Sequence, residues 1–252
     1  MRYSACIEML FTEEPNFARR IALARAAGFD AAEFWRWRGK DLDAIEAALA
    51  AEGMALAAIL AEPVLNLTDP ATHADWREGL AMSRDVALRI GAPVLIAQAG
   101  AERPGVPRAD QTDAVVAALE IAAEVLAGSG VRLGLEPLNT LVDHKGYYLP
   151  PTREAIAILD RVARPEIGMV YDIYHSAVMG EPPEVIVGGI AHVLHVHVAD
   201  HPGRNEPGHG EIDMAGRLAV LKDGGYDGCV GGEFRPSGDS DAASRAFFSA
   251  VA

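Results

Sequence analysis

The sequence predicts an α/β fold in which eight parallel strands, each followed by a helix, close into one (β/α)8 TIM barrel. A short apolar run of four to seven residues, then a loop and a longer segment with helical periodicity, recurs about every thirty residues. The apolar runs are continuous rather than alternating, which is typical of parallel strands buried on both faces. No linker or low-complexity tract interrupts the chain, so residues 1–252 are expected to form a single domain.

The first four strand–helix units are predicted to run from the N-terminus to residue 127. Their strands are predicted over residues 3–7, 31–34, 55–60 and 93–97, and their helices over residues 15–27, 42–53, 69–90 and 110–127. Asp41 and Asp69 stand where a capping carboxylate is expected, because it accepts hydrogen bonds from the first turn of a helix. Gly28, Gly53 and Gly91 stand where helices commonly end.

The second four units repeat this pattern. Their strands are predicted over residues 131–136, 168–172, 193–197 and 229–233, and their helices over residues 152–162, a short stretch after Pro182 and Pro183, and residues 214–223 and 241–251. The competing architecture is an open, doubly wound sheet, which would normally carry a glycine-rich phosphate-binding turn after its first strand. No such turn follows Ile7, so the closed barrel is favoured.

Composition excludes several classes of function. The chain has 22 Lys and Arg against 36 Asp and Glu, a formal net charge of −14, which disfavours nucleic acids and anionic membranes as partners. The longest uncharged run in the C-terminal half, residues 185–199, is too short to span a bilayer and contains three histidines. With no apparent signal peptide and only two cysteines, the sequence predicts a cytoplasmic protein with free thiols at Cys6 and Cys229.

Four consecutive predicted strands end in a side chain that can bind a metal: Glu136, Asp172, His197 and Glu233. The C-terminal ends of barrel strands meet at one face, where TIM-barrel active sites lie. Each residue alone reads more readily as a salt-bridged carboxylate or a buried histidine. Three converging carboxylates, however, repel one another unless a cation neutralises them. The set therefore predicts one divalent ion, and its oxygen-rich chemistry favours Mn²⁺, Mg²⁺ or Co²⁺.

Several sequence strings around these strand ends resemble those of the hydroxypyruvate isomerase family, which belongs to the xylose-isomerase-like sugar isomerases and epimerases. The strings are Leu-Glu-Pro-Leu-Asn (135–139), Tyr-Asp-Ile-Tyr-His (171–175), His-Val-His-Val-Ala-Asp (195–200), Arg-Asn-Glu-Pro-Gly-His-Gly-Glu-Ile (204–212) and Gly-Gly-Glu-Phe-Arg-Pro (231–236). The resemblance covers essentially the whole chain and is most specific in the second half.

The resemblance implies a role for each matching residue. Glu136, Asp172, His197 and Glu233 would hold the metal, and Glu136 and Glu233 would also transfer the proton. His175 and Arg204 would contact substrate, although spacing alone fits equally well a surface ion pair between Arg204 and Glu206 or Glu211. The implied reaction interconverts hydroxypyruvate and tartronate semialdehyde through a cis-enediolate.

The chain departs from the family pattern after its third and fourth strands. The family usually has a His-Asn pair and a lysine there, whereas this chain reads Leu-Ala-Glu at 60–62 and Gln-Ala-Gly-Ala-Glu at 98–102. The substrate is therefore left open between a small oxo-acid and a sugar, and the alternatives are a ketose 3-epimerase and a 2-oxo-tetronate-type isomerase. A metal-dependent DNA phosphodiesterase and a non-catalytic sugar-binding barrel are the other classes considered. A homo-oligomer is compatible with the sequence.

Other residues on or near the predicted strands are also candidates for the site. Glu33 and Glu62 could point into the site from the second and third strands, and His195 is either a support beneath the metal or simply buried. Trp35 and Trp37 either wall the pocket or serve packing.

Overall fold

The computed structural model describes residues 1–251 and confirms the predicted TIM barrel, with eight parallel strands closed in sequence order. The strands are β1 (Arg2–Cys6), β2 (Ala31–Phe34), β3 (Ala55–Leu60), β4 (Val94–Gln98), β5 (Arg132–Glu136), β6 (Ile167–Asp172), β7 (Val193–Val198) and β8 (Cys229–Gly232). The barrel closes where β8 pairs with β1, which brings the strands of Cys6 and Cys229 together; both cysteines are free thiols, as expected.

The helices surround the barrel and follow the strands in turn. They are α1 (Arg19–Ala26), α2 (Leu42–Glu52), α3 (His73–Ile90), α4 (Arg108–Leu126), α5 (Thr152–Val162), α6 (Ile173–Val178), α7 (Met214–Asp223) and α8 (Ser240–Val251). The side chain of Asp41 accepts a hydrogen bond from the amide of Ala44 and so caps α2, as predicted. Gly53 and Gly91 end their helices with φ of 56° and 75°, a left-handed conformation that favours glycine.

Apart from shifts of one or two residues at the ends of elements, the structure differs from the sequence-based elements in four places. Helix α1 begins only at Arg19, because the side chain of Asn16 accepts hydrogen bonds from the following amides and holds a turn there. The first turn of the helix predicted at 69 is a 3₁₀ turn (Pro70–Thr72), and the stretch after Pro182 is a 3₁₀ helix (Pro183–His192). Helix α6 was not predicted, since six residues are too few to show a period.

Two apolar layers stabilise the barrel. The larger cluster packs the outer faces of the strands against the helices and includes Leu95, Leu133 and Trp76. A smaller cluster joins side chains of the third, fourth and sixth strands, namely Ala58, Leu60, Val94, Ile96 and Val170. No helix within residues 1–251 combines the length and the apolar content needed to cross a membrane.

Candidate active site

The four strand-end residues meet, as the sequence predicts, at the C-terminal end of the barrel. Glu136 and Asp172 are the last residues of β5 and β6, His197 is the penultimate residue of β7, and Glu233 directly follows β8. One ligand atom from each residue lies within 4.8 Å of the ligand atoms of the other three, and all four residues are buried. Because the strands are regular, side chains that are evenly spaced in the sequence form one cluster of potential metal-ligand atoms.

His197 lies at the centre of this cluster. Its Nδ1 is 2.9 Å from Oε1 of Glu136 and 3.9 Å from Oε2 of Glu233. Burial disfavours the charged imidazolium, but the negative charges of Glu233 and Glu33 outweigh burial and raise the pKa of His197 well above its ordinary value. A metal ion at Nδ1 would therefore have to displace a proton, as ligation by imidazole requires.

The side chain of Asp172 is oriented by helix α6, whose first turn it caps. One carboxylate oxygen caps α6 by accepting a hydrogen bond of 3.0 Å from the amide of His175. The other oxygen, Oδ2, is buried and has no hydrogen-bond partner in the described chain. Burial, with the nearby charge of Glu233, raises the pKa of Asp172 above its usual range, while Arg204 opposes this shift. An unpartnered buried carboxylate oxygen is costly unless a ligand compensates it.

Both carboxylate oxygens of Glu233 have donors. The indole Nε1 of Trp35 donates to Oε1 over 2.7 Å, and the guanidinium of Arg204 forms an ion pair with Oε2. Burial favours the protonated acid, but the charges of His197 and Arg204 outweigh it and hold the pKa of Glu233 below its ordinary value. Glu233 is thus kept as a carboxylate in a fixed orientation.

Arg204 reaches the site from the loop that follows β7. The carboxylate of Asp200 organises this loop by accepting hydrogen bonds from the amides of Gly208, Gly210 and Ile212. Arg204 itself has a φ of 55°, an uncommon conformation for a non-glycine residue that is often found at functional sites. Its partner is Glu233, not Glu206 or Glu211, and its buried Nε has no hydrogen-bond partner in the described residues.

His175 presents a single hydrogen-bond donor to the site. Its Nδ1 accepts hydrogen bonds from the backbone amide of Asn139 (3.2 Å) and from the side-chain amide of the same residue (2.6 Å). Burial, followed by the charge of Arg204, lowers the pKa of His175 to about 4, so the ring is neutral near pH 7. The proton of the neutral ring is therefore on Nε2, which is buried without a partner and 3.5 Å from Oδ2 of Asp172.

This donor set fits a divalent cation. Three carboxylates and one imidazole offer hard oxygen and borderline nitrogen ligands. Within this cluster, Oδ2 of Asp172 is buried and has no hydrogen-bond partner in the described chain. Arg204 balances only part of the negative charge, because it brings one positive charge to three carboxylates. A divalent ion would relieve the remaining repulsion between Glu136, Asp172 and Glu233.

A pocket of about 310 Å³ opens above the cluster. Glu136, Glu233, His175 and Arg204 line it together with an apolar wall made by Trp35, Leu60, Val64, Ile96 and Leu138. Sequence reasoning missed three polar members of the lining: Arg36, Gln98 and His144. Gln98 is the last residue of β4, so the strand-end criterion could have found it, whereas Arg36 and His144 lie in loops and carry no such signal.

The other residues that the sequence suggested for the site lie in different places. Glu33 lies inside the barrel against His195 and His197 rather than in the pocket. Glu62 is buried elsewhere, where its carboxylate accepts hydrogen bonds from the amides of Trp37 and Arg38. Trp37 donates to Ser83 and lies outside the pocket, so of the two tryptophans only Trp35 is a pocket wall.

Comparison with known proteins points to one family. A model of the xylose isomerase-like TIM barrel family matches residues 21–250. A Mus musculus protein named "Putative hydroxypyruvate isomerase" is 35% identical, and the alignment covers 95% of this chain and 91% of that protein. The 2-oxo-tetronate isomerase of Cupriavidus necator is 30% identical over 96% of this chain and 95% of its own length. The crystal structure of AP endonuclease, family 2 from Brucella melitensis superposes with a TM-score of 0.89 at 27% identity, over 96% of each chain.

Proposed function

Because the chain belongs to the hydroxypyruvate isomerase family of xylose isomerase-like TIM barrels, we propose that it is a metal-dependent isomerase of small hydroxy-oxo acids. The proposed reaction interconverts hydroxypyruvate and tartronate semialdehyde through a cis-enediolate. The observation that carries this proposal is the convergence of Glu136, Asp172, His197 and Glu233 at the floor of a pocket that two arginines also line.

The proton transfer is assigned to two glutamates. Glu136 and Glu233 both line the pocket and are contributed by β5 and by the residue after β8, so they approach the substrate from different strands. One carboxylate takes the proton from the hydroxymethyl carbon, and the other returns a proton to the former carbonyl carbon while the hydroxyl proton passes to the neighbouring oxygen. Trp35 and Arg204 orient Glu233 for this role through their hydrogen bonds to its two oxygens.

The ion would be held by Glu136, Asp172, His197 and Glu233, and Mn²⁺, Mg²⁺ and Co²⁺ suit this oxygen-rich set best. Bound there, a divalent cation supplies a Lewis acid for the carbonyl oxygen of the substrate. His175 adds a neutral donor at Nε2, which suits a substrate hydroxyl or carbonyl oxygen.

The substrate class follows from the cations and the size of the pocket. Arg204 has an unpartnered Nε beside the oxygen-binding groups, and a guanidinium can bind a carboxylate with two parallel hydrogen bonds. A volume of about 310 Å³ lies at the low end for ligand pockets, which favours a substrate of a few carbons. Both features support a short oxo-acid.

Two other substrates remain as alternatives within the same chemistry. A 2-oxo-tetronate-type acid is supported by the 30% identical relative. A ketose 3-epimerase would use the same candidate ion and the same glutamates on a neutral sugar. A DNA phosphodiesterase is disfavoured by the net charge of −14, which repels a phosphate backbone.

A proton-exchange screen tests the proposal. The purified chain, supplied with Mn²⁺ in deuterated water, is incubated with hydroxy-oxo acids and ketoses of three to six carbons, and exchange of the C–H protons and product formation are followed. We expect exchange and conversion to be fastest with hydroxypyruvate, and absent in chelator-treated protein. A higher kcat/KM for a ketose would establish the epimerase instead, and no exchange with any oxo-acid would refute the proposed function.

A further inference from the structure

A second buried cluster lies on the N-terminal side of the candidate metal ligands. Glu33 on β2 is flanked by His195 and His197 on β7: its Oε2 is 2.7 Å from Nε2 of His195, and its Oε1 is 3.0 Å from Nε2 of His197. All three residues are at most 2% exposed. Glu33 does not line the pocket, so it has no route to direct contact with substrate.

His197 therefore faces two carboxylate groups with its two nitrogens. Nδ1 faces the ligand cluster, 2.9 Å from Glu136, while Nε2 faces Glu33. Nε2 of His197 and Oε1 of Glu33 are both buried and have no other hydrogen-bond partner in the described chain, and they lie 3.0 Å apart. A hydrogen bond from Nε2–H of His197 to Oε1 of Glu33 would satisfy both atoms, and 3.0 Å is an ordinary length for it.

The carboxylate of Glu33 is itself held in place from three sides. The hydroxyl of Ser4 donates to Oε2 over 2.7 Å, and His195 contacts the same oxygen. On the third side, the carboxylate lies against Gly231. Only glycine leaves space for it there, because a Cβ at this position would lie 2.6 Å from both carboxylate oxygens. Residues of β1, β2, β7 and β8 thus jointly fix one buried carboxylate against the ring of His197.

We propose that Glu33 is a positioning residue that holds the Nε2–H side of His197, so that Nδ1 is presented to the divalent ion, while Ser4 and His195 hold the other carboxylate oxygen of Glu33. This inference rests on the metal site of the proposed function. A histidine that binds a metal through one nitrogen commonly donates the other N–H to a carboxylate, which fixes the tautomer and the ring orientation. Glu33 is the residue in position to accept that bond.

Glu33→Gln tests the role directly, because the amide keeps the size of the side chain and removes its charge. Mn²⁺ binding to the full-length protein is measured from the EPR signal of free Mn²⁺. We expect the dissociation constant to rise about 10- to 100-fold. Glu62→Gln is the matched control, since Glu62 is 3% exposed but bonds backbone amides and no histidine, and it should leave the Mn²⁺ dissociation constant unchanged.

A second variant perturbs the position of Glu33 without changing any ionisable group. Gly231→Ala forces the carboxylate of Glu33 to move, and the atoms that must shift are the far end of a flexible side chain, so the fold is expected to tolerate it. Mn²⁺ binding should weaken in the same direction. Ring ¹⁵N spectra of the Mg²⁺-loaded protein should show Nε2 of His197 protonated in the wild type and a mixture of tautomers in Glu33→Gln.

The outcomes separate this inference from the proposed function. Wild-type protein that takes up no Mn²⁺ refutes the metal site, and the positioning role is refuted with it. Wild-type protein that binds Mn²⁺, with Glu33→Gln and Gly231→Ala binding it equally well, refutes the positioning role alone. Should Glu33→Gln fail to fold, Gly231→Ala decides the question, because unchanged Mn²⁺ affinity in that variant is sufficient to overturn the role.

Discussion

The two halves of the barrel contribute differently to the candidate site. Strands β5, β6 and β7 and the residue after β8 supply one candidate ligand each, whereas β3 and β4 end in Leu60 and Gln98, which line the pocket. The first-half side chains nearest to the chemistry act through second-half residues: Trp35 donates to Glu233, and Glu33 contacts His197. In the proposed mechanism, the second half therefore carries the reactive groups, and the first half supports them and lines the pocket.

Removal of the ion should give the largest effect, because all its proposed ligands lie in the second half. We expect chelator-treated protein and Asp172→Ala to lose isomerase activity, since the carbonyl oxygen then lacks its electrophile. Activity is measured alongside bound metal, and Mn²⁺, Co²⁺ or Mg²⁺ should restore the chelated wild type but not Asp172→Ala. Full-rate turnover by metal-free protein would contradict the metal-dependent mechanism.

The second largest loss of activity is expected for Glu136→Gln and Glu233→Gln. Each keeps an oxygen that can bind the ion but loses the proton acceptor, and general acid–base catalysis contributes about 10²–10⁴-fold to rate. We expect kcat to fall by about that factor at saturating Mn²⁺, with bound metal measured in the same samples. In the first half, Glu8→Gln removes only the carboxylate that pairs with Lys40 and should leave kcat within about twofold. Near-normal exchange of the substrate C–H proton in either active-site variant would remove that glutamate from the proposed pair.

The division between the halves also explains what the sequence could predict. The four ligand candidates were found because strand ends recur at regular spacing, and strand boundaries follow from apolar runs. The supporting contacts were not predictable, because Trp35 meets Glu233 across 198 residues of chain and Glu33 meets His195 across 162. These contacts depend on how β2 is placed relative to β7 and β8 across the interior, which no local pattern encodes.

The ion-pair partner of Arg204 could not be predicted from the sequence either. Spacing suggested Glu206 or Glu211 as its partner, because both are close in sequence. In the structure, Asp200 folds the loop around its own carboxylate, and Arg204 instead reaches Glu233. The ion-pair partner of Arg204 therefore depends on how the loop folds, which is determined by hydrogen bonds to backbone amides. The spacing between charged residues in the sequence contains no information on these bonds.

Arg204→Lys should have an intermediate effect that falls mainly on acids. Lysine keeps the positive charge beside Glu233 but cannot form the two parallel hydrogen bonds of a guanidinium. Since a hydrogen bond to a charged group contributes about 1.5–3 kcal/mol, we expect KM for hydroxypyruvate to rise about 10- to 100-fold. Steady-state kinetics with hydroxypyruvate and with a neutral ketose measure the difference. An equal rise for both substrates would show that Arg204 binds a hydroxyl or only orients Glu233.

The smallest effect should come from the first half, at Arg36. This residue is exposed, lines the pocket and forms no ion pair within residues 1–251, so it is free to attract an anionic substrate at the rim. Exposed ion pairs contribute about 0.2–1 kcal/mol, which predicts that Arg36→Ala raises KM for oxo-acids about 1.4-fold to fivefold and leaves kcat unchanged. Arg38→Ala is the matched control, because Arg38 stacks over Trp37 at 4.6 Å outside the pocket and should leave KM unaltered. The effect at Arg36 should shrink with added salt, because salt screens the attraction between an exposed cation and an anionic substrate. A fall in kcat without a change in KM would place Arg36 with the reactive groups, and the first half of the barrel would then do more than shape the pocket.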